Sequence, residues 1–243
     1  MNPHHHLTAC LTGALLWTAA GAARAEPAPA DAQTYLAPVS ALMKQAWPHN
    51  RRIHIVCHGH SVPAGYFVTP VVDSPNAYPH LLFLGLKERF PLAVVNVIVT
   101  AVGGENSERG AARFEQDVLA LRPDVVCIDY ALNDRRLGLD RARRALTAMI
   151  TAALERDIRV MLLTPTPDQQ VPLNNPDDPL NQQADLIRAL AAEHGVGLVD
   201  SLAAFQRHTE QGGNLADLMA QVNHPNRRGH ELVAQALLAW FPE

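Results

Sequence analysis

Five short apolar runs, each followed by a stretch with helical spacing, constrain this chain more than any other feature. The runs are Ile53–Cys57, Ala93–Ala101, Asp124–Tyr130, Arg159–Thr164 and Gly197–Asp200. The second is a continuous Val/Ile run, which suits a strand buried on both faces and hence a parallel sheet covered by helices. The helical stretches are His80–Arg89, Ser107–Leu121, Leu139–Arg156, Leu180–His194 and Arg228–Trp240, with Pro123 stopping the second and Gly195 placed as a C-terminal cap of the fourth. Such β–α alternation predicts an α/β fold, a three-layer α/β/α sandwich with a five-stranded parallel sheet.

With 243 residues, 48% of them hydrophobic and 18% charged, the chain suits one sizeable core. The net charge of -4 and the lack of a basic stripe exclude a nucleic-acid surface. Leu7 to Ala23 is apolar and uncharged and ends in the small-x-small pattern Ala23-Arg24-Ala25, so residues 1–25 read as a secretory signal peptide, despite His4, His5 and His6 where Lys or Arg is usual. A periplasmic or secreted location follows, with no stable membrane insertion after leader removal. Residues 26–50 are a Pro- and Ala-rich lead-in, weakly helical from Thr34 to Trp47, and residues 51–243 form one folded domain. Two cysteines remain, Cys57 and Cys127, too few for a disulfide framework and placed in apolar runs as small buried hydrophobes; a bridge would need their strands to be neighbours.

Ligands of parallel sheets sit at the carboxyl ends of strands. Ser61, Gly103-Gly104 and Asn133 each fall just past such an end, and His224 lies in a loop before the last helix. Acyl transfer needs a nucleophile, a base and donors for an oxyanion. Ser61 supplies a hydroxyl, His224 an imidazole, Gly104 a closely approachable backbone N–H, and Asn133 a side-chain amide. Taken singly, each is an ordinary turn, cap or loop residue.

Together they resemble the SGNH, or GDSL-type, esterase and lipase superfamily, named for blocks carrying Ser, Gly, Asn and His. Gly59-His60-Ser61 is similar to the first block, Gly103-Gly104-Glu105-Asn106-Ser107 to the second, Leu132-Asn133-Asp134 to the third, and His224-Pro225-Asn226 with Gly229-His230 to the last. The resemblance spans Ile53 to Trp240 and implies that residues 51–243 are an SGNH hydrolase domain with a flavodoxin-like sheet. It implies Ser61 as nucleophile, His224 as base, and Ser61, Gly104 and Asn133 as oxyanion donors, with no cofactor and no metal.

Two positions depart from the pattern. His60 stands where Asp normally precedes the nucleophile. Because His58 and His60 alternate along a strand, they could also share a metal. Gln221 stands where the family's acid lies, three residues before the histidine; glutamine cannot balance an imidazolium. Either a Ser–His dyad operates, with a backbone carbonyl orienting the ring, or Asp217 or Asp200 substitutes. The expected activity is hydrolysis of carboxylic esters, with short acyl groups such as acetyl on a carbohydrate, so the expected partner is a small-molecule or polysaccharide ester. The alternatives are a lipase, lysophospholipase or thioesterase, or a non-catalytic glycan-binding relative. Arg135 is placed to meet an anionic substrate, the arginines around Arg141, Arg143 and Arg144 read as a solvated helix face, Tyr66 and Phe67 as pocket lining, and the proline-rich loop 165–179 as a rim.

Overall fold

The computed structural model describes Met1 and residues 27–243; the rest of the expected leader lies outside the described residues. The main sheet comprises β1 (Arg52–Gly59), β2 (Val94–Val99), β3 (Val125–Asp129), β4 (Arg159–Leu163) and β5 (Gly197–Val199) in the order β2-β1-β3-β4-β5. Every adjacent pair is parallel. The helices are α1 (Ala37–Met43), α2 (Ser61–Ala64), α3 (Tyr78–Arg89), α4 (Ser107–Asp117), α5 (Ala131–Asp134), α6 (Leu139–Leu154), α7 (Pro179–His194), α8 (Ser201–Glu210) and α9 (Arg227–Leu238).

The period-two alternation of strands divides the core in two. Ile53, Ile55, Cys57, Val125, Cys127, Met161 and Leu163 face a cluster built with Leu82, Leu86, Phe205, Val233 and Leu237. Val56, Val126, Ile128, Val160 and Leu162 face the opposite cluster with Phe114, Leu146, Ile150, Ile187 and Leu190. The predicted sandwich is therefore present, with α1, α3, α8 and α9 on one side and α4, α6 and α7 on the other. The lead-in joins it: Leu36, Val39 and Met43 enter the first cluster, and the Val160 N–H donates to the Tyr35 hydroxyl at 3.0 Å.

Local sequence fixes the helix ends. Asn106, Asp178, Asp200 and Asn226 accept backbone N–H bonds as N-caps of α4, α7, α8 and α9. Gly195 closes α7 with φ 60, the left-handed cap its position suggested. Cys57 and Cys127 are in register on neighbouring strands, buried, and both free thiols.

Two expectations need correction. β2 is not buried on both faces: it is an edge strand, with Val94 45% and Val99 44% exposed. Apolar content alone fixes neither the burial of a run nor its place in the sheet. The stretch before the last helix contains a hairpin of β6 (Met219–Gln221) and β7 (His224–Pro225), antiparallel and irregular. His224 thus sits on a short strand instead of in a loop.

One close approach ties the second layer to the sheet. A Cβ on Gly110 of α4 would collide with the Tyr130 ring. Gly110→Ala should therefore lower stability by about 1–3 kcal/mol through overpacking. The readout is a lower urea midpoint at unchanged slope; an unchanged midpoint would contradict this packing.

Candidate active site

The serine is placed by the close pairing of β1 with β3. The His60 N–H donates to the Asp129 carbonyl at 3.3 Å, and a Cβ on Gly59 would collide with that same carbonyl. The chain then turns at once into α2, whose first residue is Ser61, 7% exposed. His60 acts as the N-cap: its Nδ1 accepts the Val62 N–H at 3.1 Å. That bond puts the imidazole proton on Nε2, which lies 3.4 Å from Asp129 Oδ1 in an electrostatic contact without hydrogen-bond alignment. The other Asp129 oxygen accepts from the Tyr78 hydroxyl at 3.3 Å. An imidazole can cap a helix as a carboxylate does, so the His60 departure leaves the turn intact, with the Asp129 carboxylate of the neighbouring strand beside the ring.

The Ser61 Oγ and His224 Nε2 are 2.9 Å apart. Burial depresses the His224 pKa, and its bond to the Phe67 carbonyl counters this in part. The Nδ1 of His224 lies 3.1 Å from Phe67 O and 2.8 Å from Gln221 Nε2. Neither suggested acid stands there. Asp200 is engaged by Arg188, Thr164 and the Ala203 N–H, and Asp217 is exposed, its backbone carbonyl accepting from Asn226.

Gly104 has φ +75 with open space where a Cβ would project, so its backbone conformation, not crowding, calls for glycine. At Gly103 the reason is contact: a Cβ would lie 2.9 Å from the Tyr66 ring. Asn133 donates one amide hydrogen to the Glu105 carbonyl at 2.8 Å, leaving the other for a ligand. Glu105 is itself buried. Its carboxylate takes Arg113 Nε on both oxygens at 3.0 Å and the Tyr130 hydroxyl at 3.0 Å. Removing one partner from such a buried pair costs about 3–5 kcal/mol. The loop carrying Gly104 is thus clamped to α4 from below.

Ser61, Gly104, Asn133 and His224 share one open pocket of about 430 Å³, with Tyr66, Thr69 and Gln221 also on its wall. Its lining is mostly polar. Loop 165–179 reaches this edge, where the Gln169 N–H donates to Val222 O at 2.8 Å. Phe67 contributes a backbone carbonyl. Arg135 does not offer a free charge, since it binds Asp168 at 2.7 Å with both side chains largely buried. Arg141 and Arg143 pair with Glu108 and Glu193 on the solvent face. His58 and His60 do not converge on a metal: His58 bonds Thr100 Oγ1 at 2.8 Å and Gly110 O at 3.2 Å. Among the described residues no cluster of three His, Cys, Asp or Glu could hold an ion.

Sequence reasoning missed Glu105, Arg113, Asp129 and Thr69. Glu105 lay within a quoted block, but the residue eight positions on that would neutralise it carries no local signal.

A parallel sheet with a serine at the tip of one strand and a histidine brought to it from near the C-terminus defines a class of α/β hydrolases. The GDSL-like lipase/acylhydrolase family matches residues 57–232. The chain belongs to that family, and with it to the carboxylic ester hydrolases. An acetylxylan esterase of Geobacillus stearothermophilus is 25% identical over 169 residues, 63% of this chain and 75% of the relative. Among solved structures, LAE5, an α/β hydrolase from the metagenome of Lake Arreo, Spain, is 25% identical with a TM-score of 0.65, covering 82% of this chain and 97% of its own. The acetylxylan esterase Axe2 from Geobacillus stearothermophilus is 22% identical with a TM-score of 0.66, covering 78% and 94%. Solved variants of Axe2 include catalytic mutants replacing a serine, an aspartate and a histidine.

Three buried groups around the site set how stability follows pH. Burial pushes His58 down to about 4 and His230 down to about 3, from 6.5. It pushes Asp134 up to about 6, from 3.8. Between pH 6 and 4 the unfolded chain binds both histidine protons, while the folded chain binds only the Asp134 proton. The net difference is one proton, favouring the unfolded state as pH falls. These groups should therefore remove on the order of 1 kcal/mol of stability per pH unit over that range. Urea unfolding at the two ends checks it; a rise in stability toward pH 4 would reverse the assigned sign.

Proposed function

We propose that this protein is an exported serine esterase that removes short acyl groups, acetyl above all, from carbohydrate. The observation that carries the reading is the 2.9 Å contact between Ser61 Oγ and His224 Nε2, in a pocket that also holds Gly104 and Asn133. His224 takes the hydroxyl proton as Ser61 Oγ attacks the ester carbonyl. The resulting oxyanion accepts hydrogen bonds from the N–H groups of Ser61 and Gly104 and from the Asn133 amide. Collapse expels the alcohol, which leaves with the proton from His224. Water, deprotonated by the same imidazole, then attacks the acyl-serine and releases the carboxylic acid.

The open, polar pocket supports a short acyl group, since a long chain would need an apolar channel. Tyr66 supports a sugar: its ring lines the pocket, 6.0 Å from that of His224. The similarity to enzymes described as acetylxylan esterases points the same way. Export rests on the apolar leader in residues 1–25. Among the described residues no helix is long and apolar enough to cross a membrane.

Two measurements test the reading. Hydrolysis of p-nitrophenyl acetate, butyrate and octanoate should fall with chain length and drop by at least about a thousandfold in Ser61→Ala. Preference for octanoate would favour a lipase, and no activity above the mutant would favour a glycan-binding protein. For export, the protein recovered from the periplasm or medium of a secreting host should begin at Glu26 by intact mass; retention of residues 1–25 would remove that part.

A further inference from the structure

We propose that Gln221 is a positioning residue that holds His224 in the tautomer unable to serve as a base, and so acts as a brake on turnover. This rests on the reading of Ser61 and His224 given above. The His224 Nδ1 faces two groups with opposite demands. Phe67 O, 3.1 Å away, can only accept a hydrogen bond, and Gln221 Nε2, 2.8 Å away, can only donate one.

A neutral imidazole carries one N–H. With the proton on Nδ1, the ring satisfies Phe67 O, and its bare Nε2 can take the Ser61 proton. That same proton then meets the Gln221 amide hydrogens head-on. With the proton on Nε2, Gln221 is satisfied, but the Nε2–H points at Ser61 Oγ and cannot accept from it.

The amide cannot turn over freely to escape this. The Thr69 N–H donates to Gln221 Oε1 at 3.0 Å, and Gln221 Nε2 donates to Thr69 Oγ1 at 3.2 Å. Reversing the amide would set its NH2 against the Thr69 N–H. A carboxylate at this position would accept from both the imidazole and Thr69, so the conflict is peculiar to glutamine. The acidic alternatives, Asp200 and Asp217, make no contact with His224 that would offset it. The site is therefore assembled but idles, with the productive tautomer disfavoured by one hydrogen bond.

The test compares the protein with Gln221→Ala, Gln221→Glu and Ser61→Ala on p-nitrophenyl acetate, together with 15N NMR of histidine-labelled protein above the His224 titration range. Gln221→Ala should raise kcat roughly three- to tenfold, the equivalent of one hydrogen bond, with KM little changed. Gln221→Glu should raise it at least as far. The His224 Nδ1 signal should move from pyridine-like toward pyrrole-like in both variants, which a merely structural role would not cause. A fall or no change in kcat for Gln221→Ala, or an Nδ1 already pyrrole-like in the unaltered protein, overturns the proposal. If Ser61→Ala keeps its activity, the nucleophile reading fails instead, and the nitrogen signals alone decide the tautomer.

Discussion

The carbonyl of Asp129 is where the sheet and the chemistry meet. It ends β3, accepts the His60 N–H, and stands so close to Gly59 that no side chain fits there. The β1–β3 register therefore sets the height at which β1 must stop, and α2 begins on the next residues with Ser61 at its head. A slip of one residue in this pairing would turn Ser61 away from His224, because alternate residues face opposite sides. The site is precise for the same reason the core is: both depend on one ladder of hydrogen bonds.

Around that ladder, the protein buries charge where it must hold loops still. Glu105 is out of water, yet it is met by Arg113 and Tyr130, and its backbone carbonyl takes the Asn133 amide. Buried ion pairs of this kind add little net stability, because desolvation offsets the attraction. What they supply is position: Gly104 and Asn133, from different strand ends, are referenced to one anchored residue, Glu105. Asp129 does the same beneath Ser61, with neutral partners. Electrostatic preorganisation requires donors that do not move as charge develops, and these two carboxylates are the means by which a shallow, open pocket achieves it.

Much of this was legible in the sequence, and the exceptions have physical causes. The five strands stand within a few residues of their apolar runs, because turns, glycines and charges bound each run sharply. Ser61, Gly104, Asn133 and His224 were singled out from their order and placement, and the structure gathers them in one pocket. The β6–β7 hairpin was not foreseen, since strands of three and two residues are too short to show a period. The edge position of β2 was also hidden, because a valine-rich run reads alike at the edge or the centre of a sheet. Phe67 was read for its ring, but it is the carbonyl that reaches His224; backbone atoms leave no mark in a sequence.

That edge strand has a consequence for handling the protein at high concentration. From Pro91 to Gly104 the chain carries no charged side chain, and β2 pairs on one side only. Soluble proteins usually blunt such edges with lysine, proline or a bulge, because open backbone groups on an uncharged strand invite a second strand to pair. Colloidal behaviour is thus decoupled from folding stability: a variant with a better-packed core would melt later and still present the same uncharged edge for pairing. A single lysine on the outward face of β2, where Asn96 is exposed, would change solubility and leave the reacting atoms untouched.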